Sequence, residues 1–185
     1  MDSGADSYRR FLAGDKDALG ELIRDDKDGL ILFLNRYVDD LQTAEELAEN
    51  VFFRLVVKKP HFRGDASFKT WLYAIGRNEA LTHLRRHGRV DDTPVEERGD
   101  LSDEAAELEQ AYLREERKIA VHRALARLKP EYAVARYLRY IEDMPPEQAA
   151  KVLKKTKRQL ANLSYQAKLA LKRELEKEGI TDEGL

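Results

Sequence analysis

The segment from Phe62 to Asn78 combines the residue types that bind an unpaired nucleic-acid strand. On a helix, Lys69, Tyr73 and Arg77 fall on one stripe, so two cations flank an aromatic ring. The opposite stripe holds the apolar side chains that a core helix needs: Phe68, Trp71, Leu72 and Ile75. Cations bind phosphates and aromatic rings stack on unpaired bases. A core helix alone does not need the Lys69 stripe, so the segment favours contact with an opened strand.

The composition is typical of a soluble, helix-rich protein. The 185 residues are 42% hydrophobic and 37% charged, with five prolines and no cysteine. Without cysteine the chain forms neither disulfides nor a thiolate zinc site. It has no apolar run long enough to span a membrane, and its polar, acidic N-terminus is unlike a secretion signal. We therefore expect a cytoplasmic protein without membrane insertion.

Charge alternates along the chain although the net charge is only −2. Residues 1–53 carry thirteen acids and six bases, and residues 54–89 carry two acids and nine bases. Residues 90–116 then carry eleven acids and two bases, and residues 117–178 carry seven acids and sixteen bases. Binding responds to local potential, so this pattern indicates two nucleic-acid contacts joined by an acidic tether.

The N-terminal half predicts helices throughout. One helix starts with Asp17 as its cap and breaks near Gly29, and the next starts at the capping box Thr43–Glu46. Its core stripe is Ala44, Leu47, Ala48, Val51, Phe52, Leu55 and Val56, and the other side shows Glu46, Glu49, Asn50 and Phe53. A loop then leads into the helix that carries Trp71.

The C-terminal part predicts a helix-turn-helix unit. Pro145-Pro146 opens a short helix, since proline is tolerated in a first turn. A second capping box, Thr156–Gln159, opens a long helix whose core stripe is Leu160, Leu163, Ala167, Leu171 and Leu175. Two helices joined by a tight turn, the second long and fronted by cations, are typical of DNA-binding units.

Together these residues resemble the extracytoplasmic-function (ECF) sigma factors, the small two-domain promoter-specificity subunits of the sigma-70 family. Phe62–Asn78 closely fits the Phe-Arg-Gly-(Asp/Glu)-x-Ser-Phe-x-Thr-Trp-Leu-Tyr-x-Ile-x-x-Asn run of the family's second region. Leu128–Tyr132 and Tyr165–Leu171 resemble its fourth region, a less specific match. The resemblance implies an all-α protein of two small helical domains, an N-terminal bundle and a C-terminal helix-turn-helix, joined by an acidic linker.

The implied domain bounds are 1–88 for region 2, 89–113 for the linker and 114–185 for region 4. Region 2 would bind core RNA polymerase and melt the promoter −10 element. Region 4 would bind the duplex −35 element. The linker is interpreted either as a solvated spacer or as a segment whose acids, including Asp91 and Glu96, imitate nucleic acid in the polymerase cleft.

The resemblance carries three sets of site residues onto this sequence. The first is a pocket for a flipped −10 base, formed by Arg63, Gly64, Asp65, Ala66 and Ser67, with Lys69, Tyr73, Arg77, Asn78, Arg85 and Arg86 along the strand. Trp71 belongs to this set too, and either anchors the core or acts as a wedge at the melting fork. The second set reads the −35 element: Lys154, Lys155, Lys157, Arg158, Ala161, Asn162, Tyr165, Gln166 and Lys172. The third binds polymerase: Glu46, Glu49, Asn50 and Phe53.

Several positions depart from the family pattern. Glu46 and Glu49 stand where relatives usually show Asp and Gln, which keeps the acidity that a basic partner selects. Leu163 and Gln166 stand where relatives often have Arg, and Leu163 is interpreted as core. The expected partners are core polymerase, through its largest-subunit coiled coil and its flap, promoter DNA and an anti-sigma factor. No cofactor and no metal is expected.

Three other classes of function fit the sequence less well. An enzyme is disfavoured because the chain lacks a phosphate loop, a nucleophile elbow and metal-spaced histidines; His83 and His87 lack a third ligand. A plain helix-turn-helix regulator would leave Phe62–Asn78 without a role. A sigma-like interaction module that does not support initiation is the remaining alternative.

Overall fold

The computed structural model describes residues 2–87, 123–177 and 179–180, and within them every regular element is helical. Four helices form the N-terminal unit: α1 (Ser3–Leu12), α2 (Lys16–Val38), α3 (Leu41–Lys58) and α4 (Phe68–Arg86). The C-terminal unit contains α5 (Pro130–Arg136), a π-helical turn (Tyr137–Ile141), α6 (Pro146–Leu153) and α7 (Lys157–Lys177). Residues 123–126 are also helical. The predicted all-α fold is confirmed for the described residues; the linker 89–113 lies outside them.

Short polar side chains start the N-terminal helices. Asp2, Asp15, Asp40 and Ser67 each accept a hydrogen bond from a backbone N–H of the first turn, which satisfies donors that the helix leaves unpaired. Asp2 also accepts from the backbone N–H of Phe68 at 2.6 Å, so one carboxylate joins the starts of α1 and α4. The caps therefore help to set where α4 begins.

Three local predictions in this half were wrong. Asp15, rather than Asp17, caps α2. The predicted capping box at Thr43 does not form, because Asp40 lies three residues earlier and accepts from the Thr43 N–H at 2.9 Å. Helix α2 also continues through Gly29 without a break. A Cβ at Gly29 would lie 2.6 Å from the Tyr73 hydroxyl, so glycine here permits close packing rather than ending a helix.

The helix-turn-helix is built as predicted. Thr156 and Gln159 form a reciprocal capping box, with the Thr156 N–H donating to Gln159 Oε1 at 2.8 Å and the Gln159 N–H donating to Thr156 Oγ1 at 3.1 Å. Lys154 takes a left-handed conformation (φ +53°) in the turn before it, and Lys155 donates to the Ala150 carbonyl at 2.9 Å. This turn fixes the direction in which α7 leaves α6.

The two units share one hydrophobic cluster. Leu30, Phe33 and Leu72 of the N-terminal unit are buried in the same cluster as Val134 and Leu138 of the C-terminal unit. Helix α6 packs on α4, and α5 packs on α2. The C-terminal unit therefore packs on α4, the helix that carries most of the Phe62–Asn78 segment.

The π-helical turn lies at this junction. The N–H of Glu142 donates to the carbonyl of Tyr137 at 3.1 Å, an i→i+5 bond that holds one residue more than an α-helical turn. Tyr137 and Leu138 are buried, while Tyr140 and Ile141 are about two-thirds exposed. Glu142 comes directly after the turn, and its orientation depends on it.

Candidate nucleic-acid interface

The loop before α4 forms an open cavity of about 270 Å³. Gly64 has φ +80°, a left-handed conformation that glycine adopts without steric cost, and it turns the loop between Arg63 and Asp65. The cavity is lined by His61, Phe62, Arg63, Gly64, Asp65, Ala66, Thr70, Trp71, Ala74 and Lys151. Most of the predicted base pocket is thus brought together around one concavity, and the C-terminal unit contributes Lys151 to its wall.

Trp71 belongs to an aromatic cluster at the base of this cavity. Its ring lies 5.4 Å from Tyr8, 5.3 Å from Phe62 and 5.5 Å from Phe68, measured between centroids. The Tyr8 hydroxyl donates to the Pro60 carbonyl at 2.8 Å, and burial raises the pKa of Tyr8 to about 12. Trp71 itself is half-buried. It therefore anchors the cluster while part of it faces the cavity, and its role as a wedge stays a prediction.

The expected open stripe of Lys69, Tyr73 and Arg77 is only partly open. Tyr73 is completely buried, so its expected position on an exposed stripe was wrong. Its ring packs against Phe33 at 4.8 Å, and its hydroxyl donates to Glu142 Oε1 at 3.0 Å. Burial, with the neighbouring Glu142 charge, raises the pKa of Tyr73, so it is a neutral donor at physiological pH.

The C-terminal half of α4, from Arg77 onward, is more accessible to solvent. Arg77 is half-buried; burial raises the pKa of Tyr37, although the nearby Arg77 charge acts to lower it. Asn78, Arg85 and Arg86 are exposed. The Arg85 guanidinium donates to the Leu81 carbonyl and the Thr82 hydroxyl, both at 3.2 Å, which holds it along α4. This end of α4 remains a cationic surface.

Hydrogen-bond acceptors of the C-terminal unit cover the N-terminal end of α4. Glu142 pairs through Oε2 with Lys69 Nζ, and its Oε1 accepts from Tyr73 at 3.0 Å and from Tyr137 at 2.8 Å. Burial disfavours the charged form of Glu142, but the hydrogen bonds from Lys69 and the tyrosines outweigh it and lower its pKa. Glu142 is therefore ionised, in a site that only the two units together complete.

Gln148 of α6 makes the second contact between the units. Its Oε1 accepts from the Ser67 hydroxyl at 2.7 Å and from the Thr70 hydroxyl at 2.6 Å. Lys151, one turn further along α6, donates to the backbone carbonyl of Asp65. Sequence reasoning missed Glu142 and Gln148, because their partners lie 69 to 81 residues away and no local pattern indicates them.

The predicted −35 surface forms a stripe on α7. Arg158, Ala161, Asn162, Tyr165, Gln166 and Lys172 are all exposed, opposite the buried leucines that begin with Leu160. Lys154 and Lys157 are exposed at the turn and helix start, and Lys155 is half-buried. Leu163 is buried, as the sequence predicted. Lys157 pairs with Glu147 at 2.6 Å in an exposed ion pair. The stripe is therefore a continuous exposed face of the second helix of the helix-turn-helix.

The predicted polymerase surface is an exposed stripe of α3. Glu46, Glu49, Asn50 and Phe53 follow helical spacing, and all four are exposed. Phe53 is 67% exposed, and Val57 continues the stripe at 54%. Exposed apolar side chains that lie together on one stripe, as Phe53 and Val57 do, are typical of a protein-binding surface.

No metal site is evident in the described part of the chain, where no group of three or more His, Asp or Glu side chains could hold an ion. His83 and His87 stack at 4.1 Å between ring centroids, and a His87 ring nitrogen lies 2.9 Å from the His83 carbonyl. In the same residues no helix is long and apolar enough to cross a membrane.

Comparison with known proteins identifies the family. The profile of Sigma-70 region 2 matches residues 22–90, which include the loop, α4 and the α3 stripe. The RNA polymerase sigma-H factor of Pseudomonas aeruginosa is 30% identical over 152 residues, covering 78% of this chain and 79% of that protein. The chain belongs to the ECF sigma factors. The ECF sigma-E factor of Escherichia coli is 28% identical over 152 residues, with the same coverage.

A solved structure has the same fold. The sigma factor RpoE of Bartonella quintana, determined with the anti-sigma factor NepR, matches with a TM-score of 0.64 at 19% identity, covering 85% of this chain and 96% of that one. As a sigma factor, the protein functions in transcription initiation by RNA polymerase. Sigma factors are in general initiation factors rather than enzymes.

Proposed function

We propose that the loop 63–67 and the adjoining face of α4 hold the melted −10 strand, with the cavity beside Trp71 taking a flipped base. The single observation that carries this is the cavity itself, because it combines aromatic walls with the Arg63 cation next to a cationic helix. Lys69, Arg77, Asn78, Arg85 and Arg86 would follow the strand away from the pocket, while the buried Tyr73 would offer only its hydroxyl. Trp71 would lie at the junction between paired and unpaired DNA.

Helix α7 would read the −35 duplex in the major groove. Asn162 and Gln166 carry amides that pair with adenine edges, and the small Ala161 beside Asn162 permits close approach. Lys154, Lys155 and Lys157, with Arg158, would contact phosphates and set the register, and Tyr165 and Lys172 would extend the surface. The exposure of this stripe supports the assignment.

The remaining assignments concern partners and location. The α3 stripe of Glu46, Glu49, Asn50 and Phe53 would bind the coiled coil of the polymerase's largest subunit, and the C-terminal unit would approach its flap. An anti-sigma factor would regulate the protein, as NepR accompanies the Bartonella relative. The protein would work in the cytoplasm, without catalysis, as two domains at 1–88 and 114–185 joined by the linker 89–113.

Reconstituted initiation tests the −10 assignment. Transcription-start mapping after overexpression supplies promoters, and purified protein with core polymerase is then assayed for opening by the permanganate reactivity of unpaired thymines. The double variant Arg63→Ala/Asp65→Ala should lose opening while α7 still protects the duplex −35 element. A matched control, Asp6→Ala/Arg9→Ala, removes an exposed Asp–Arg pair from α1 and should open promoters normally. Normal opening by the loop variant would remove the loop from the mechanism.

A further inference from the structure

Three donors of the proposed strand site are already bound to the C-terminal unit. Lys69 and the Tyr73 hydroxyl bind Glu142, and the Ser67 hydroxyl binds Gln148. All three donors belong to the surface proposed for the −10 strand. Their acceptors both come from the C-terminal unit.

The two acceptors resemble the groups of a nucleic-acid strand in chemistry. A carboxylate on a lysine and a tyrosine hydroxyl supplies the anionic oxygens that a phosphate would supply. The Gln148 amide oxygen accepts from two hydroxyls, as a carbonyl on a base edge would. The Lys151 ammonium also contacts the loop backbone at Asp65, beside the cavity. An unpaired strand and the C-terminal unit therefore compete for the same donors.

The burial of Glu142 shows that its contacts are satisfied only when the two units are packed together. The Glu142 side chain is only 8% exposed, and a carboxylate is buried at large cost unless it is paired. Of its three donors, Lys69 and Tyr73 come from the N-terminal unit, and only Tyr137 comes from its own unit. Tyr137 also lies 3.0 Å from the Gly29 carbonyl. When the units separate, Glu142 exchanges two protein partners for water.

We propose that Glu142 and Gln148 hold the free protein in a closed form, in which the C-terminal unit covers the strand-binding face. The units must separate before that face holds an unpaired strand. This inference rests on the proposed function of the face and adds a regulation of the same site. The α3 stripe and the α7 stripe are exposed in the closed form, so polymerase and duplex DNA can engage before the strand is captured.

Distance measurement between the units tests the closed form directly. The sequence contains no cysteine, so Arg24→Cys on α2 and Lys168→Cys on α7 give two specific nitroxide sites on exposed positions. The otherwise unchanged chain should show one narrow distance by pulsed electron paramagnetic resonance. Adding Glu142→Gln and Gln148→Ala removes a charge-assisted contact and two neutral ones, and should raise the open fraction roughly tenfold, broadening the distribution.

The controls separate closure from folding. Glu176→Gln neutralises an exposed carboxylate of α7 and should leave the narrow distance unchanged. Gln148→Ala alone keeps every charge of the site and should show a smaller broadening with unchanged helicity by circular dichroism. A broad distribution in the parent chain, or a narrow one in the Glu142/Gln148 variant, overturns the closed form.

Initiation kinetics connect closure to the strand site. The unlabelled Glu142→Gln/Gln148→Ala variant should open promoters with a shorter lag than wild type, and Glu176→Gln should match wild type. Equal lags despite a broadened distance distribution would overturn the claim that closure controls the site. If neither wild type nor variant initiates although the distances behave as expected, the proposed −10 function fails and the closed form stands.

Discussion

The hydroxyl of Tyr73 donates to the carboxylate of Glu142 at 3.0 Å, across 69 residues of sequence. Tyr73 is fully buried, and Glu142 remains charged although burial acts against it. This pair joins the helix that carries the proposed strand site to the unit that carries the proposed duplex-reading helix. Its removal therefore affects both the stability of the chain and the separation of the two units.

Tyr73→Phe should lower the free energy of unfolding by about 1.5 kcal/mol, because one hydrogen bond to a buried carboxylate is lost while Lys69 and Tyr137 remain. Urea unfolding followed by circular dichroism measures this. Tyr140→Phe is the matched control, since Tyr140 is 64% exposed and should show no change. Equal stability of wild type and Tyr73→Phe would mean that the contact contributes nothing.

Asp26→Asn should stabilise the protein at neutral pH. Asp26 is 8% exposed, and burial raises its pKa to about 6. Because the folded state binds the proton more tightly than the unfolded state, ionisation costs stability as the pH rises from about 4 to above 6. The variant should gain on the order of 1 kcal/mol at pH 7.5 and almost nothing at pH 4.

The control for Asp26 is Asp28→Asn, which neutralises an exposed carboxylate two residues along α2. Unfolding curves at both pH values are compared for the two variants. A gain at Asp26 that is equal at pH 7.5 and pH 4 would contradict the raised pKa.

The pairing of Glu142 has the opposite dependence on pH. Its lowered pKa means that its contribution is complete above the pKa of an unfolded glutamate and is lost as the pH falls through its own, lower pKa. The ionisable groups around it are Lys69 and Tyr73 of α4, Tyr137 of the π-helical turn and, through the field alone, Asp26 of α2. Acid should therefore broaden the distance distribution between the nitroxide sites in wild type but much less in Glu142→Gln. If acid broadened the distribution equally in wild type and Glu142→Gln, other titratable groups would be the cause of the broadening.

Thr156→Ala should destabilise the C-terminal unit by about 1 kcal/mol, because both hydrogen bonds of the capping box involve this residue and its hydroxyl accepts one of them. Thr156→Ser keeps the hydroxyl and should recover most of the loss. Thermal unfolding compares the three proteins. If Thr156→Ser lost as much stability as Thr156→Ala, the effect would come from removing the methyl group rather than the hydroxyl.

Phe53→Ala should weaken binding to core polymerase by roughly 30-fold, the effect of truncating an aromatic anchor in an interface. Because Phe53 is 67% exposed in the free protein, the variant should unfold at the same urea concentration as wild type. Leu32→Ala on α2, where the leucine is 44% exposed, serves as the control and should bind normally. Equal weakening by both variants would indicate that α3 presents no specific surface.

How much of the fold could be predicted from the sequence depends on how far apart two interacting residues lie along the chain. The capping box of Thr156 and Gln159 was predicted correctly, because its partners are three residues apart and the pattern contains both. Most of the buried stripes of the helices were predicted for the same reason, but Val56, predicted as core, is 38% exposed. At Thr43 the local pattern was equally plausible, but the competing cap Asp40 lay just outside it.

The residue types of the candidate site could be predicted from the sequence, but the solvent exposure of its side chains could not. The loop around Gly64 and the cations at Arg85 and Arg86 were recognisable, because residue type and spacing carry them. The burial of Tyr73 depends on Glu142 and Tyr137, which reach it only through the packing of the C-terminal unit. Helical periodicity assigns a residue to a face and does not say what covers that face.

The π-helical turn at Tyr137–Ile141 sets the orientation of Glu142 through its hydrogen-bond register. Each residue advances an α-helix by about 100°, so a regular α-helical turn over the same residues would rotate Glu142 away from Lys69. Every amino acid of the contact would still be encoded, yet its carboxylate would point elsewhere. The hydrogen-bond register between Tyr137 and Glu142 is therefore as much a part of the closing mechanism as the side chains themselves.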